Sequence, residues 1–393
     1  AMGIGLPRRP WGMLTGVRPG KLMTPLLAQG LNDAQAARQF ERQYDVSPAR
    51  ADLVVRTAHA TLRAMESLGS KDVCLYVGIP FCPTRCAYCS FVSQSVEKSM
   101  ALVPEFLQAL AREIAATAEA VRRAGLHVVS LYIGGGTPTT LSARQLDALC
   151  TQLAAAFDLS ALREFTVEAG RPDTITADKL QVLRAHRVDR ISVNPQTLDD
   201  RVLDTIGRRH TAQDIYDALR LVRETGGFAV NMDLIAGLPG DTPDGFRATL
   251  EQVLALAPEN VTVHTLSRKR GSNLMAQDAP IPDGAAVGEM LDFADTVLPR
   301  AGYAPYYLYR QKFMSGGFEN VGWTRPGQEN LYNICIMEEL CSILAMGGGA
   351  STKLVRPNGG RLERHIDPKY PTEYIANIDR ICAAKAELEA FFQ

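Results

Sequence analysis

The sequence lacks the features that mark membrane, secreted and nucleic-acid-binding proteins. No apolar run approaches the about 18 residues of a membrane-spanning helix, and the N-terminus has no apolar signal-peptide segment. The 42 basic and 43 acidic side chains leave a formal net charge of −1, which gives no broad field for RNA or DNA. Eight cysteines in 393 residues do not make a disulfide framework. These absences predict a cytoplasmic globular protein without a membrane span or a nucleic-acid partner.

The length of the chain exceeds what one hydrophobic core usually serves. We expect an N-terminal helical extension (residues 1–72), a central part (73–270) and a C-terminal α+β domain that would cover a substrate (271–393). The first residues, Ala1-Met2-Gly3, resemble the remnant of a cleaved expression tag. The N-terminal extension is therefore expected to be truncated.

Three of the eight cysteines lie within eight residues, in Cys82-Pro-Thr-Arg-Cys86-Ala-Tyr-Cys89. A disulfide uses cysteines in pairs and a structural zinc ion takes four protein ligands, so three clustered thiols favour an iron–sulfur cluster with one open iron. The alternative is three buried thiols, but free cysteines have no reason to gather in a loop flanked by proline. We therefore predict that Cys82, Cys86 and Cys89 bind metal.

The other five cysteines are scattered: Cys74, Cys150, Cys335, Cys341 and Cys382. We interpret them as buried thiols. Because Cys335 and Cys341 are close in sequence, a second cluster remains an alternative for them.

Short β-rich runs alternate six times with longer helical patterns between Cys74 and His264. The predicted strands are 75–79, 128–133, 164–169, 190–193, 229–235 and 260–265. The predicted helices are 103–123, 142–157, 176–186, 211–224 and 243–256. This alternation implies parallel βαβ units. Six units are too few for a closed eight-fold barrel, so we predict an α/β fold with an open (β/α)6 partial TIM-type barrel.

Residues with distinctive chemistry follow the ends of these strands, where a barrel of this kind keeps its active site. After the cysteines of the first strand, the later strands contribute 134–138, Glu168, 194–196, Asp233, and His264 with Ser267. The glycine run 134–136 would leave N–H and C=O groups free to meet an adenosine cofactor, although a simple tight turn is the alternative. The convergence of these residues predicts one active site.

Two carboxylates, Glu168 and Asp233, end or interrupt apolar runs, which is costly unless they are paired or bind a ligand. Ribose hydroxyls or an ammonium group would satisfy them. A salt bridge inside the barrel, for instance to Arg190 or Arg208, is the alternative. His264 is assigned no role, because a lone histidine at a strand end is more often a hydrogen-bonded core residue.

The C-x3-C-x2-C spacing with Tyr88 before the third cysteine resembles the radical S-adenosylmethionine (SAM) signature. Four segments resemble the oxygen-independent coproporphyrinogen III oxidase group: Tyr76-Val-Gly-Ile-Pro-Phe-Cys82, Ile133-Gly-Gly-Gly-Thr-Pro-Thr139, Arg190-Ile-Ser-Val-Asn-Pro-Gln196 and Asn231-Met-Asp-Leu-Ile-Ala-Gly-Leu-Pro239. Four more resemble its HemZ branch: Leu14-Thr-Gly-Val-Arg-Pro19, Tyr307-Leu-Tyr-Arg-Gln-Lys312, Glu319-Asn-Val-Gly322 and Gly347-Gly-Gly-Ala-Ser-Thr-Lys353.

The resemblance implies a [4Fe–4S] cluster on the three loop cysteines, SAM on its open iron, and an electron donor such as flavodoxin or ferredoxin. It implies SAM contacts at Tyr76, Tyr88, Gly135, Gly136, Thr137, Glu168, Gln196, Arg208, Asp233 and Ser267. The implied reaction is oxidative decarboxylation of coproporphyrinogen III propionates to vinyl groups in anaerobic haem biosynthesis. No individual catalytic residue is predicted.

Two departures keep other functions open. Phe91 stands where oxidases of this group have another cysteine, which is similar to the haem-chaperone branch, yet the His-Asn-x-x-Tyr-Trp motif of that branch is missing. The alternatives to an oxidase are a haem-trafficking chaperone and another radical reaction on a tetrapyrrole, such as methyl transfer with ring opening.

The C-terminal part begins with a predicted helix at 285–298 and an aromatic run containing Tyr303, Tyr306, Tyr307 and Tyr309. Next to flat apolar rings, cationic groups would suit a tetrapyrrole with propionates, and core packing is the alternative. The predicted tetrapyrrole contacts are Arg310, Lys312, Trp323 and Arg325. Helices at 334–346 and 372–392 are expected to complete the chain.

Overall fold

The computed structural model describes residues 9–84, 86–89, 94–95, 99–267, 280–356 and 362–392. The predictions that concern Ala1-Met2-Gly3, Phe91 and the boundary between residues 270 and 271 lie outside these ranges. The division into three domains therefore stays a prediction.

Three helices form the N-terminal part, as the helical pattern of the sequence indicates: α1 (Gly20–Ala28), α2 (Asp33–Tyr44) and α3 (Pro48–Ser67). Asn32 begins α2 through a capping box, in which its side chain and that of Gln35 each accept a hydrogen bond from the other's backbone N–H. Proline in the first turn favours the start of α3.

Six parallel strands and a short pair in the cysteine loop form the central part. They are β1 (Asp72–Ile79), the pair β2 (Phe81–Cys82) and β3 (Gln94–Ser95), β4 (His127–Gly135), β5 (Glu164–Glu168), β6 (Arg190–Ser192), β7 (Ala229–Ala236) and β8 (Asn260–Thr265). Every neighbouring pair from β1 to β8 in the barrel is parallel. The six predicted strands are therefore confirmed.

Helices connect these strands and cover the outside of the sheet. They are α4 (Val103–Arg123), α5 (Ala143–Ala156), α6 (Ala177–Ala185), α7 (Asp200–Thr205), α8 (Ala212–Thr225) and α9 (Pro243–Ala255). Five of them match predictions, and only the short α7 does not. No described helix is long and apolar enough to cross a membrane.

The last third of the chain mixes helices and strands. Its elements are α10 (Gly284–Arg300), β9 (Ala304–Arg310), β10 (Glu319–Thr324), α11 (Leu331–Glu338), β11 (Ser342–Gly347), β12 (Ser351–Leu354), β13 (Glu363–Ile366), α12 (Pro371–Ala376), α13 (Ile378–Ala386) and α14 (Leu388–Phe392). The predicted single helix at 372–392 is wrong, since it is divided into α12, α13 and α14.

The predicted helix at 334–346 is also wrong. Glu339 takes a left-handed conformation (φ 56°) that ends α11, and the second half of the segment is strand β11. Every residue of β11 is buried, so its sequence is apolar on both faces. Such a run lacks the hydrophobic periodicity that would distinguish a buried strand from a buried helix.

One sheet contains eleven strands in the order β13-β12-β11-β1-β4-β5-β6-β7-β8-β10-β9. Strand β11 extends the barrel parallel to β1, and β10 extends it antiparallel to β8. The sheet ends at β13 and β9 without closing, which confirms the open partial barrel. Helices α3 and α11 pack with β9 in one apolar cluster that contains Ala60, Tyr306 and Ile334.

Candidate active site

A cavity of about 500 Å³ lies at the carboxyl ends of the parallel strands. The three loop cysteines and nine of the ten predicted SAM contacts line it: Tyr76, Tyr88, Gly135, Gly136, Thr137, Glu168, Gln196, Arg208 and Asp233. The tenth, Ser267, is not among the lining residues, and its hydroxyl donates to the backbone oxygen of Lys312 at 3.3 Å. The fold thus brings distant parts of the chain to one site.

The cysteine loop presents partly exposed thiols with hydrogen-bond donors beside them. The hydroxyl of Thr137 donates to Sγ of Cys82 at 3.6 Å, and the guanidinium of Arg171 donates to Sγ of Cys86 at 3.4 Å. These donors contact the sulfur atoms that would bind metal as thiolates. Arg171 is buried just after β5 and was not predicted from the sequence.

The glycine run packs the end of β4 against the cysteine loop. A Cβ on Gly136 would lie 2.5 Å from the backbone oxygen of Phe81 and 2.9 Å from Sγ of Cys82. The N–H groups of Gly136 and Thr137 donate to Ile79 and Phe81 at 2.8 and 2.7 Å. The expectation that these N–H groups are free is therefore wrong. Glycine is needed here so that two backbone segments can approach closely.

Glu168 is half-buried at the cavity and is held by two hydrogen bonds. The hydroxyl of Tyr132 donates to Oε1 at 2.7 Å, and the N–H of Gly135 donates to Oε2 at 3.2 Å. Burial raises the pKa of Glu168 to about 7, and the nearby Asp233 adds to the rise. This carboxyl group therefore changes its charge near neutral pH.

Asp233 lies in the same cavity but stays ionised. The amides of Asn194 and Asn231 donate to its two oxygens at 2.9 and 2.7 Å, and Nε2 of His264 lies 3.7 Å from Oδ2. Burial opposes ionisation, but hydrogen bonds from His264, Asn231 and Thr262 outweigh it and hold the pKa of Asp233 below its usual value. The two carboxyl groups thus differ in charge state because their environments differ.

Among the described residues, neither arginine proposed as an alternative partner binds these carboxylates. Arg190 donates to the side chain of Asn260. Arg208 donates to the backbone oxygen of Asn194 at 2.6 Å and to the hydroxyl of Tyr88 at 3.1 Å. Neither named arginine is therefore the partner, and Arg208 instead joins the cysteine loop to the end of β6; the ionisable side chain beside Asp233 is His264.

Gln196 takes a left-handed backbone conformation (φ 67°), which is uncommon for a residue other than glycine. Its N–H donates to the backbone oxygen of Asp233 at 2.8 Å, and its own oxygen accepts from Ile235 at 3.0 Å. These bonds hold the end of β6 against β7. A backbone of this kind costs about 1–3 kcal/mol and is concentrated at functional sites.

Three tyrosines form an aromatic group on the wall of the cavity. The rings of Tyr132 and Tyr332 stack with centroids 4.4 Å apart, and Tyr76 lies 6.1 and 6.0 Å from them. Only Tyr76 was predicted. The other two could have been suspected only from their positions, since Tyr132 precedes the glycine run by two residues on the same face of its strand.

The expected tetrapyrrole contacts do not line the cavity. Trp323 is 2% exposed and belongs to the core, which is the alternative that the sequence left open. The guanidinium of Arg310 binds the backbone oxygen of Leu14 at 2.7 Å, and that of Arg325 stacks on the ring of Tyr303 at 5.1 Å. These cations are occupied by the protein itself. The exposed Lys312 also lies outside the cavity.

Tyr307, Tyr309 and Lys353 supply aromatic and cationic groups to the cavity instead. The ammonium group of Lys353 donates to the backbone oxygen of Ile336 at 3.2 Å. Burial, together with the nearby Arg18, lowers the pKa of Lys353 to about 8. The sequence placed Lys353 in a family-like segment but gave it no role.

Comparisons with known proteins agree with this geometry. Residues 76–253 match the radical SAM superfamily. The chain is 39% identical over 389 residues to the oxygen-independent coproporphyrinogen-III oxidase-like protein HemZ of Bacillus subtilis, covering 98% of this chain and 78% of that protein. It is 30% identical to the heme chaperone HemW of Lactococcus lactis, covering 80% of this chain and 78% of that protein.

A solved structure is also similar. Coproporphyrinogen III oxidase (HemN) from Escherichia coli, a radical SAM enzyme, matches with a TM-score of 0.63 and 26% identity. The match covers 82% of this chain and 72% of that one.

Radical SAM proteins use a [4Fe–4S] cluster and SAM, and the residues present fit both groups. Three partly exposed thiols face the cavity, and the absence of a Cβ on Gly136 leaves space for the sulfur of Cys82. Cys82, Cys86 and Cys89 would hold the cluster, which supplies the electron for reductive cleavage of SAM. The chain belongs to the radical SAM superfamily and, within it, to the HemZ-, HemN- and HemW-like family.

Proposed function

We propose that this protein is an oxidase that decarboxylates the propionate side chains of coproporphyrinogen III to vinyl groups in anaerobic haem biosynthesis. An electron donor such as flavodoxin or ferredoxin would supply the reductant. The observation that carries the proposal is the single cavity in which three cysteine thiols meet Glu168 and Asp233. These carboxyl groups support SAM binding, and the 39% identity to the oxidase-like protein HemZ over 98% of this chain favours the oxidase.

The chain's own residues have distinct parts in this proposal. Ionised Asp233, fixed by Asn194 and Asn231, offers a negative charge to the cationic portion of SAM. Glu168, fixed by Tyr132, offers acceptor oxygens to ribose hydroxyls.

The substrate would enter beside the aromatic groups. Tyr307, Tyr309 and Tyr332 offer flat faces to a macrocycle, and Lys353 offers a cation to one of its propionates. Each decarboxylation removes one hydrogen atom from the propionate chain, breaks the bond to the carboxyl carbon, releases carbon dioxide and passes one electron to an acceptor. The remaining two carbons form the vinyl group.

An anaerobic assay tests this function. The reconstituted protein is incubated with SAM, a reductant and coproporphyrinogen III, and 5′-deoxyadenosine and porphyrin products are measured. We expect both 5′-deoxyadenosine and a decarboxylated product. Cys89→Ser should lose the brown chromophore and both products, and unchanged iron content in that variant would show that the metal ligands are misassigned.

A second candidate function is haem trafficking. It is favoured by the 30% identity to the heme chaperone HemW, which extends over 80% of this chain. This function predicts stoichiometric haem binding without decarboxylation in the same assay. That result would exclude the oxidase.

A further inference from the structure

A second group of three cysteines lies inside the barrel, away from the cysteine loop. Cys74 is on β1, Cys335 is on α11, and Cys341 precedes β11. Their sulfur atoms all lie within 4.8 Å of one another, and those of Cys74 and Cys341 are 3.6 Å apart. All three side chains are buried. The fold therefore places Cys74 beside Cys335 and Cys341, the two thiols for which the sequence left a second cluster as an alternative.

The spacing of the sulfur atoms fits one metal ion. Two sulfurs bonded to the same ion at about 2.3 Å lie about 3.8 Å apart at a tetrahedral angle and about 4.0 Å apart at a trigonal angle. The distance of 3.6 Å between the sulfurs of Cys74 and Cys341 is close to these values, and the other two distances do not exceed 4.8 Å. An iron–sulfur cluster needs wider spacing, because several iron atoms lie between its ligands. A disulfide joins only two sulfurs, at about 2.05 Å.

Metal binds cysteine in its thiolate form, so a bound cation would replace the protons of the three thiols.

A second cavity lies near Cys341. Leu340, next to Cys341 in sequence, lines this cavity of about 730 Å³ together with Glu339 and residues of α1 and α3. Cys341 is 7% exposed, whereas Cys74 and Cys335 are fully buried. An ion would therefore reach Cys341 first.

We propose that Cys74, Cys335 and Cys341 form a three-thiolate site for a single thiophilic d10 metal ion, Zn²⁺ or Cu⁺. Soft thiolate ligands select these ions. In the part of the chain that the structure describes, no histidine, carboxylate or further cysteine joins the group. Cu⁺ accepts three ligands, whereas Zn²⁺ would need a water as a fourth, so Cu⁺ should bind more tightly.

A bound ion would link three elements that meet below the active site. Tyr332 precedes Cys335 by one helical turn on α11, and Tyr76 follows Cys74 by two residues on β1. The stacked rings of these tyrosines line the cavity. The metal would thus fix the helix that carries one side of the active site.

The test uses the full chain with Cys82→Ser, Cys86→Ser and Cys89→Ser, so that no iron–sulfur cluster forms. Zn²⁺ and Cu⁺ are titrated separately, without oxygen, against a chromogenic chelator. We expect one equivalent of metal and, by X-ray absorption, three sulfur neighbours at about 2.3 Å. Adding Cys335→Ala should weaken binding more than about 100-fold, since losing even an outer-shell partner costs about 10- to 100-fold.

Cys150→Ala is the matched control, because Cys150 is also buried but lies outside the group. It should leave metal binding unchanged. Binding that is equal in the Cys335→Ala and Cys150→Ala chains would overturn the proposal. Fewer than three sulfur neighbours in the absorption spectrum of the chain that keeps Cys74, Cys335 and Cys341 would also overturn it, and this measurement does not depend on the folding of the alanine variant.

Discussion

The hydroxyl of Tyr132 donates a hydrogen bond of 2.7 Å to Oε1 of the half-buried Glu168. The two residues lie on adjacent parallel strands, β4 and β5, at positions that face the cavity. Burial raises the pKa of Glu168 to about 7. The hydrogen bond from Tyr132 acts in the opposite direction, since it favours the ionised form. Tyr132 is therefore a positioning residue for the carboxyl group expected to bind the ribose.

Removing that hydroxyl should weaken SAM binding. In Tyr132→Phe, Glu168 loses its donor, and its pKa should rise further, so less of it is ionised at neutral pH. Hydrogen bonds to charged groups contribute about 1.5–3 kcal/mol, which corresponds to an about 10- to 150-fold loss of affinity. Anaerobic calorimetry with SAM checks this. Tyr216→Phe removes a hydroxyl that binds Gln252 on the surface, and it should leave SAM affinity unchanged.

The charge of Glu168 should also make stability depend on pH. Its pKa is about 7 in the folded chain and about 4.5 when unfolded, so the folded chain keeps a proton that the unfolded chain releases between these values. Its contribution to stability is therefore full below about pH 4.5 and is lost as pH rises through 7.

Glu168→Gln removes this titration. Without SAM, its melting temperature should exceed that of the unchanged chain at pH 8, and the difference should shrink at pH 5. Its SAM affinity should fall, because the carboxylate acceptor is gone. Thermal unfolding at both pH values checks the sign. A variant less stable than the unchanged chain at pH 8 would contradict this assignment of the charge.

Gly136→Ala should disrupt the cysteine loop. The added Cβ would lie 2.5 Å from the backbone oxygen of Phe81 and 2.9 Å from Sγ of Cys82. Overpacking of this kind costs about 1–3 kcal/mol, and we expect lower iron content after reconstitution. Gly16→Ala is the control, since nothing lies within 4 Å of its Cβ position. Equal iron content in the two variants would show that the close approach is not needed.

The sequence predicts the six strands from their alternation with helices. It predicts most of the cavity because the carboxyl ends of parallel strands lie at the same edge of the sheet. Glu168, Gln196 and Asp233 could be assigned to one edge from chain order alone. Tyr132 and Tyr332 could not, since an aromatic residue in a buried strand or helix has the same pattern whether it faces a cavity or the core. Trp323 illustrates the reverse error, because its aromatic character suggested a ligand contact at a core position.

The sequence and the structure predict different lysines as the tetrapyrrole contact. Lys353→Met should raise the KM for the tetrapyrrole and leave SAM affinity unchanged, because the ammonium group faces the cavity. Since the pKa of Lys353 is about 8, tetrapyrrole affinity in the unchanged chain should fall above that pH. Lys312→Met should have no effect on KM, because Lys312 lies outside the cavity. An increase in KM for Lys312→Met but not for Lys353→Met would favour the sequence-based prediction.

Transfer of hydrogen from the propionate is the most direct test of the oxidase. Coproporphyrinogen III is labelled with deuterium on the propionate carbon next to the ring and incubated anaerobically with the reconstituted protein, SAM and a reductant. The proposed reaction predicts deuterium in 5′-deoxyadenosine and vinyl groups in the tetrapyrrole. Bound tetrapyrrole with unlabelled 5′-deoxyadenosine and intact propionates would contradict it.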